Sequence, residues 1–310
     1  MLTLIPETHF DFMGRRRWFF GLSILVTVIG IVSFIVQGGF RLGIDFAGGR
    51  LIEYQFSQAV PIEELRRAAD RAGFPQAEIQ PAKGRNVAIF RVTDIAMGEQ
   101  RGGEAPMSQK IANALKEQRP GVGVELLREE SIGAKIGKEI RSQAFWAVML
   151  SMGLLLIYIA IRFDFRFGVG AVIATFHDVI MVLTLFSLLH REITMALIAA
   201  LLTLAGYSIN DTIVVYDRIR EQNVRLRREP YINVLNFSMN QTLSRTMLTG
   251  LSSIVAAAAL LIFGGEVIRD FALAMTFGII VGTYSSIFIA SALVLEMHNA
   301  AEAKAARTAA

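Results

Sequence analysis

The stretch "ITMALIAALLTLAGYSINDTIVVYDRIRE" (193–221) runs uncharged from Ile193 to Asn210, meets Asp211, and stays apolar to Tyr216. It then passes into Asp217, Arg218, Arg220 and Glu221, which read as a solvated continuation of the same segment. At about 1.5 Å per residue, the part from Ile193 to Tyr216 is long enough to cross ~30 Å of hydrocarbon. An aspartate inside such a span costs roughly 2.5–3.5 kcal/mol at the helix centre and less near an edge. The stretch therefore predicts a membrane helix with an ionisable group that needs a partner or a task.

The rest of the chain agrees with a membrane as solvent. Of 310 residues, 53% are hydrophobic and only 19% charged, against about 25% charged in an average soluble domain. Five further windows reach spanning length: Trp18–Val36, Ala144–Ile161, Phe167–Leu189, Met247–Phe263 and Phe271–Leu295. Arg15, Arg16 and Arg17 precede the first, but its uncharged run is too long for a signal peptide and no Ala-x-Ala site follows. It is expected to stay as an anchor. The absence of cysteine excludes disulfides, zinc–thiolate sites and cysteine nucleophiles. The four histidines have no metal-ligand spacing and no glycine-rich phosphate loop occurs, so neither metal, cofactor nor enzyme activity is expected.

Loop charge sets the expected orientation. Six alternating spans group residues 1–17, 162–166, 217–246 and 297–310 on one side, with most of the arginines and lysines. The opposite short loops carry only Arg191 and Arg269. Both termini are thus expected in the cytoplasm. The expected organisation is a cytoplasmic N-terminus (1–17), a first transmembrane helix (18–37), an extracytoplasmic insert (38–142), a five-helix transmembrane domain (143–296) and a cytoplasmic tail (297–310).

The insert reads as a small domain. "RLIEYQF" (50–56), "AEIQPA" (77–82), "NVAIFRV" (86–92) and "VGVELLREE" (122–130) read as strands. "PIEELRRAADRAG" (61–73) and "MSQKIANALKEQRPG" (107–121) read as helices, with Ile62, Leu65, Ala68, Ala69 and Ala72 on one face of the first. A "KGRN" turn (83–86) joins the middle strands, and the loop "GEQRGGEAP" (98–106) would lie on the surface. The order βαββαβ predicts a ferredoxin-like unit, so the fold class expected is a polytopic six-helix membrane protein with an α+β insert.

The spans carry polar residues at helical spacing. Span four has Thr203, Gly206, Tyr207, Asn210, Asp211 and Val214 on one broad face, and the helix leading into span five has Thr242, Arg245, Thr246, Thr249 and Ser252. Asp211 and Arg245 lie 18 and 19 residues from Ile193 and Gly264, so similar depth makes an ion pair possible. Span three places His177 and Asp178 near its middle, where the residues alone favour a structural role. Gly278, Gly282, Ser286 and Ala290 form a small-residue ridge suited to close helix packing. For Asp211 two readings stay open: a static pair that holds spans four and five together, and a group that handles protons.

Six segments together resemble the SecF family, the smaller membrane subunits of the SecDF protein-export complex within the resistance–nodulation–division superfamily. They are "GIDFAGG" (43–49), "IGAKIGKEIRSQA" (132–144), "RFDFRFGVGAVIATFHDV" (162–179), "GYSINDTIVVYDRIRE" (206–221), "NQTLSRT" (240–246) and "FGGEVIRDFALAMTFGIIVGTYSS" (263–286). The resemblance implies a bacterial inner-membrane subunit that uses the proton motive force to assist translocation through the SecYEG channel. It implies SecD as obligate partner, YajC and YidC as further partners, unfolded preprotein as cargo, and no nucleic acid. It also implies that Asp211 and Arg245 are the functional transmembrane charges; Asn210, His177 and Asp178 are candidate supporting positions on the reading of the residues alone. Where the family often reads "DRIREN", Gln222 here intervenes before Asn223.

Overall fold

The computed structural model describes residues 8–82, 86–93 and 105–309. Its contacts divide into two units, Leu42–Phe145 and a bundle made of the residues up to Arg41 together with those from Trp146 onward.

The smaller unit begins with a short helix α1 (Ile44–Ala47), then β1 (Gly49–Phe56), α2 (Ile62–Arg71), β2 (Glu78–Ala82), β3 (Val87–Thr93), α3 (Met107–Gln118) and β4 (Val124–Ile132). The strands form one antiparallel sheet in the order β2-β3-β1-β4, the ferredoxin-like order that the sequence predicts. Alternation explains the packing: Ile52, Tyr54 and Phe56 leave β1 on one face and are buried with Phe90 and Val92 of β3. Leu65, Ala68 and Ala69 of α2 and Ile111 and Leu115 of α3 close that core. Ile62, at the start of α2, stays exposed. Tyr54 donates from its hydroxyl to the Ser108 carbonyl at 2.5 Å. Burial, reinforced by the nearby Glu129, pushes its ionisation far above the ordinary tyrosine range. The predicted turn at 83–86 falls at 83–85, and the predicted loop at 98–104, outside the described residues.

Six helices of the described residues are long and apolar enough to cross a membrane. In chain order they are α4 (Arg16–Val36, which precedes the smaller unit), α5 (Ala134–Arg162), α6 (Phe165–Leu188), α7 (Met195–Arg225), α8 (Tyr231–Phe263) and a sixth, composite span. The sixth joins α9 (Glu266–Ser285) to α10 (Ser291–Ala309) through a π-helical turn, Ser286–Ala290. The chain is a multi-pass membrane protein.

One boundary differs from the sequence reading. Helix α5 starts at Ala134, ten residues before its apolar window at Ala144, because "AKIGKEIRSQ" has good helix formers but too much charge to register as a span. Helix α7 runs on to Arg225, the solvated continuation that the sequence predicts, stapled by Arg162–Asp217 at 2.8 Å and Arg225–Glu221 at 2.7 Å. Exposed pairs of this kind contribute at most about 1 kcal/mol each.

Within the bundle the sixth span is central, with 72% of its window buried, whereas α4 and α5 have 11% each. Lipid tails are as apolar as leucine, so helices here are held by close packing and hydrogen bonds rather than by a hydrophobic drive. Gly30 of α4 is one such contact, since a Cβ there would come within 2.1 Å of the Thr184 hydroxyl. Gly282 of α9 is another, a Cβ there meeting Ser208 at 3.1 Å and Asp178 at 3.6 Å. The α6–α7 turn closes on His190 with φ 54. The Arg191 N–H reaches back to the Phe186 carbonyl at 2.9 Å, a helix-ending geometry usually left to glycine. Thr194 then caps α7 by accepting from the Leu197 N–H at 3.3 Å.

Candidate functional site

Two aspartates lie buried in the bundle, in opposite circumstances. Asp178 of α6 is 0% exposed and Asp211 of α7 is 8% exposed.

Asp178 is fully provided with donors. Its Oδ2 accepts from the Ser208 hydroxyl of α7 at 2.5 Å and from the Ser285 hydroxyl of α9 at 2.9 Å. Its Oδ1 meets His177 Nδ1 at 3.0 Å. The other ring nitrogen, Nε2, lies 3.0 Å from the Ser23 hydroxyl of α4, which lies 2.8 Å from the Tyr284 hydroxyl of α9. Tyr284 donates to the Phe19 carbonyl at 2.8 Å. Neighbours on a helix point about 100° apart, yet the imidazole turns back onto its own neighbour because Ser23 holds its far edge. Four helices thus meet in one polar cluster, and Gly282 gives the room for Ser208 to reach it.

Asp211 is not so provided. Its Oδ2 is buried without a hydrogen-bond partner. The side chains that bear on the carboxyl come from α8, where Thr249 approaches it and Arg245 adds a positive field. Most hydroxyls on that face serve their own helix: Thr242 donates to Ser238, Thr249 to Arg245 and Ser252 to Thr249 carbonyls. Thr246 is buried, and its hydroxyl has no partner. Arg245 is exposed and, among the described residues, makes no ion pair within 4.0 Å. So α7 and α8 bring Asp211 and Arg245 to facing positions but leave the pair open.

The remaining predicted positions separate. Asn210, next to Asp211, points outward and is exposed, as are Thr203, Thr249 and Ser252. A polar stripe across α7 and α8 therefore faces away from this chain's own bundle. Lipid is a poor neighbour for such groups, which in membranes face other helices or water-filled cavities. His177 and Asp178 come together in the cluster described, though the sequence alone gave no reason to bond them to each other. Ser23, Ser208, Tyr284 and Ser285 complete that cluster and were not picked out from sequence. The signal available was a serine inside each of three apolar windows.

Comparison with known proteins places the chain in a family. Residues 110–300 match the protein export membrane protein SecD/SecF C-terminal family, and residues 33–60 match the SecD/SecF GG motif. A protein translocase subunit SecF from Thermodesulfovibrio yellowstonii is 42% identical over 299 residues, covering 95% of this chain and 97% of the relative. The protein translocase subunit SecDF of Thermus thermophilus is 41% identical over 306 residues, 97% of this chain and 40% of the relative. The crystal structure of SecDF from Thermus thermophilus, described as a translocon-associated membrane protein, superposes with a TM-score of 0.83 at 38% identity. It covers 96% of this chain and 40% of that one. SecDF in a super-membrane-facing form gives 0.72 at 38% identity, with 98% of this chain and 41% of that one covered. The chain thus spans about two fifths of the solved SecDF chains.

Proposed function

The chain belongs to the SecD/SecF family of protein-export membrane proteins, with a role in protein translocation, and from that premise we propose that it couples proton flow to export through Asp211 and Arg245. In this reading Asp211 exchanges a proton while Arg245, across the α7–α8 face, approaches and withdraws. A nearby cation favours the ionised form of a carboxylate, and burial without one favours the protonated form. Movement of the guanidinium would therefore gate proton uptake and release. A potential of 100 mV supplies about 2.3 kcal/mol per elementary charge, which changes a two-state ratio by roughly fifty-fold and suffices to bias a conformational change.

The observation that carries the reading is the contrast between the two buried aspartates: Asp178 has its donors, whereas Asp211 keeps a buried oxygen without one. A static structural pair would be expected to close; an exchanging site stays open to a proton. The outward stripe of Asn210, Arg245, Thr249 and Ser252 supports a second membrane chain over the site. The relative that joins SecD and SecF names in one SecDF chain supports SecD as that partner. In the same reading the chain sits in the bacterial inner membrane with both termini in the cytoplasm. The Leu42–Phe145 unit lies outside and passes the motion to preprotein emerging from SecYEG, and YajC and YidC are accessory partners.

The test is Asp211→Asn in the complex reconstituted with SecD. Loss of potential-dependent export and of proton conductance, with complex assembly intact, is the expected result. Full export and conductance at normal complex levels would sink the proton-coupling reading and leave an assembly subunit.

A further inference from the structure

The cluster around Asp178 contains more chemistry than a helix clamp requires. Its hydrogens can be placed by following the acceptors. The Tyr284 hydroxyl has one proton, which goes to the Phe19 carbonyl at 2.8 Å. Ser23 must then donate to Tyr284, so its remaining role toward His177 is as acceptor, and Nε2 carries a proton. Ser208 directs its hydroxyl proton at Asp178 Oδ2 at 2.5 Å, and Ser285 shares its own between Oδ2 at 2.9 Å and the Gly282 carbonyl at 3.2 Å. One contact is left to settle, His177 Nδ1 to Asp178 Oδ1 at 3.0 Å. Two acceptors cannot face each other there, so one proton must lie between them.

We propose that His177 and Asp178 form a second proton-binding site of the chain, distinct from Asp211, with one exchangeable proton on the Nδ1–Oδ1 contact. Two hydroxyls already converge on Oδ2, and we place the remaining proton on Nδ1 of the 3.0 Å contact, so that the resting pair is an imidazolium aspartate. Withdrawing it leaves a neutral histidine beside a carboxylate. Among the described residues no lysine, arginine or further carboxylate bonds to the pair; α4 contributes Ser23, α7 contributes Ser208, and α9 contributes Tyr284 and Ser285.

The two ends of the cluster are not equivalent. The Ser23–Tyr284 arm stops on a backbone carbonyl, which has no proton to pass on, so that arm orients the ring. Exchange is left to the Asp178 side. There Ser208 precedes Asp211 by three residues on α7, about 4.5 Å along the axis. What the proton is used for rests on the proton-coupling reading above; the existence of the site does not.

The test is 15N spectroscopy of the full chain, labelled in histidine and held in lipid nanodiscs at neutral pH. The His177 signals are those absent from His177→Asn. Two protonated ring nitrogens in the wild type, falling to one on Nε2 in Asp178→Asn, is the expected result. A wild-type His177 with a bare Nδ1 overturns the proposal, so the answer does not depend on any variant folding. A folded Asp178→Asn whose ring keeps both protons overturns it too, because Asp178 would then not hold the second. Either failure leaves the Asp211 reading standing, since that one is measured as export and proton conductance.

Discussion

Ser208 donates to Asp178 across 2.5 Å from one turn before Asp211, so α7 carries both buried carboxylates' surroundings on adjacent turns. The second donor, Ser285, comes from α9. Hydrogen bonds to charged groups contribute about 1.5–3 kcal/mol when buried. Ser208→Ala and Ser285→Ala should each lower stability by an amount in that range, read as thermal or steric-trap unfolding in detergent. The double variant should cost more than the sum, because it strips Oδ2 of every donor at once. Negligible losses would show that Asp178 does not depend on these hydroxyls.

Much of this arrangement is legible in the sequence, and the part that is not has a physical cause. Alternation along "RLIEYQF" and the helical spacing of Leu65, Ala68 and Ala69 mark the α+β core because burial there follows a period. The apolar windows mark the spans for the same reason. The depth match of Asp211 and Arg245 is also countable. Their rotation about the helix axes is not, since it is set by contacts such as Gly278 against Leu204 and Gly282 against Ser208. The turn of His177 onto Asp178 depends on Ser23, more than 150 residues earlier in the chain. The π-helical turn at Ser286–Ala290 has no local signature at all. It adds a residue to one turn, so Tyr284 and Ser285 reach the cluster while Ala290 and Val294 pack on Gly170 beyond it.

Residues 8–14 form a strap along the start of α8, held by two asparagines four apart. Asn240 accepts from Thr8 and the Phe10 N–H and returns a bond to the Phe10 carbonyl, at 2.8–2.9 Å. Asn236 accepts from the Met13 N–H at 3.0 Å and donates to Asp11 at 2.8 Å. The Gly14 N–H and Asn236 hold the Asp11 carboxyl below its ordinary range. A depressed value stabilises the strap above the unfolded carboxylate's titration near ~3.9 and loses that contribution as pH falls through the folded value. The strap should therefore be indifferent to pH around neutrality and loosen only in acid. Asn236→Ala, removing a donor and an acceptor worth about 0.5–1.5 kcal/mol each, should loosen it at neutral pH. Limited trypsin digestion at Arg15–Arg17 reads the variant at neutral pH and pepsin digestion at Phe10 and Phe12 reads the acid effect; equal cleavage of wild type and variant by trypsin would mean the asparagines do not hold the strap.

The outward polar stripe makes the most direct prediction about assembly, and the chain's lack of cysteine lets single cysteines be placed without background. Thr203, Asn210, Thr249 and Ser252 are exposed on α7 and α8, in or beside the apolar spans. Leu150 and Ile157 on α5 are as exposed but apolar on every side, as a lipid-facing helix should be. If a second chain covers the stripe, cysteines at the four polar positions should cross-link to partner cysteines in the SecD complex. Those at Leu150 and Ile157 should remain open to a lipid-soluble thiol reagent. The two sets would behave alike if the stripe faced lipid, which would also remove the support for a proton site shared between chains. Arg245 gives the same comparison a functional edge. Arg245→Lys keeps the charge but loses the planar fork, so export should fall less than with Arg245→Ala if position of charge is what gates Asp211. An equal fall in both would instead assign Arg245 to a bidentate contact with the partner.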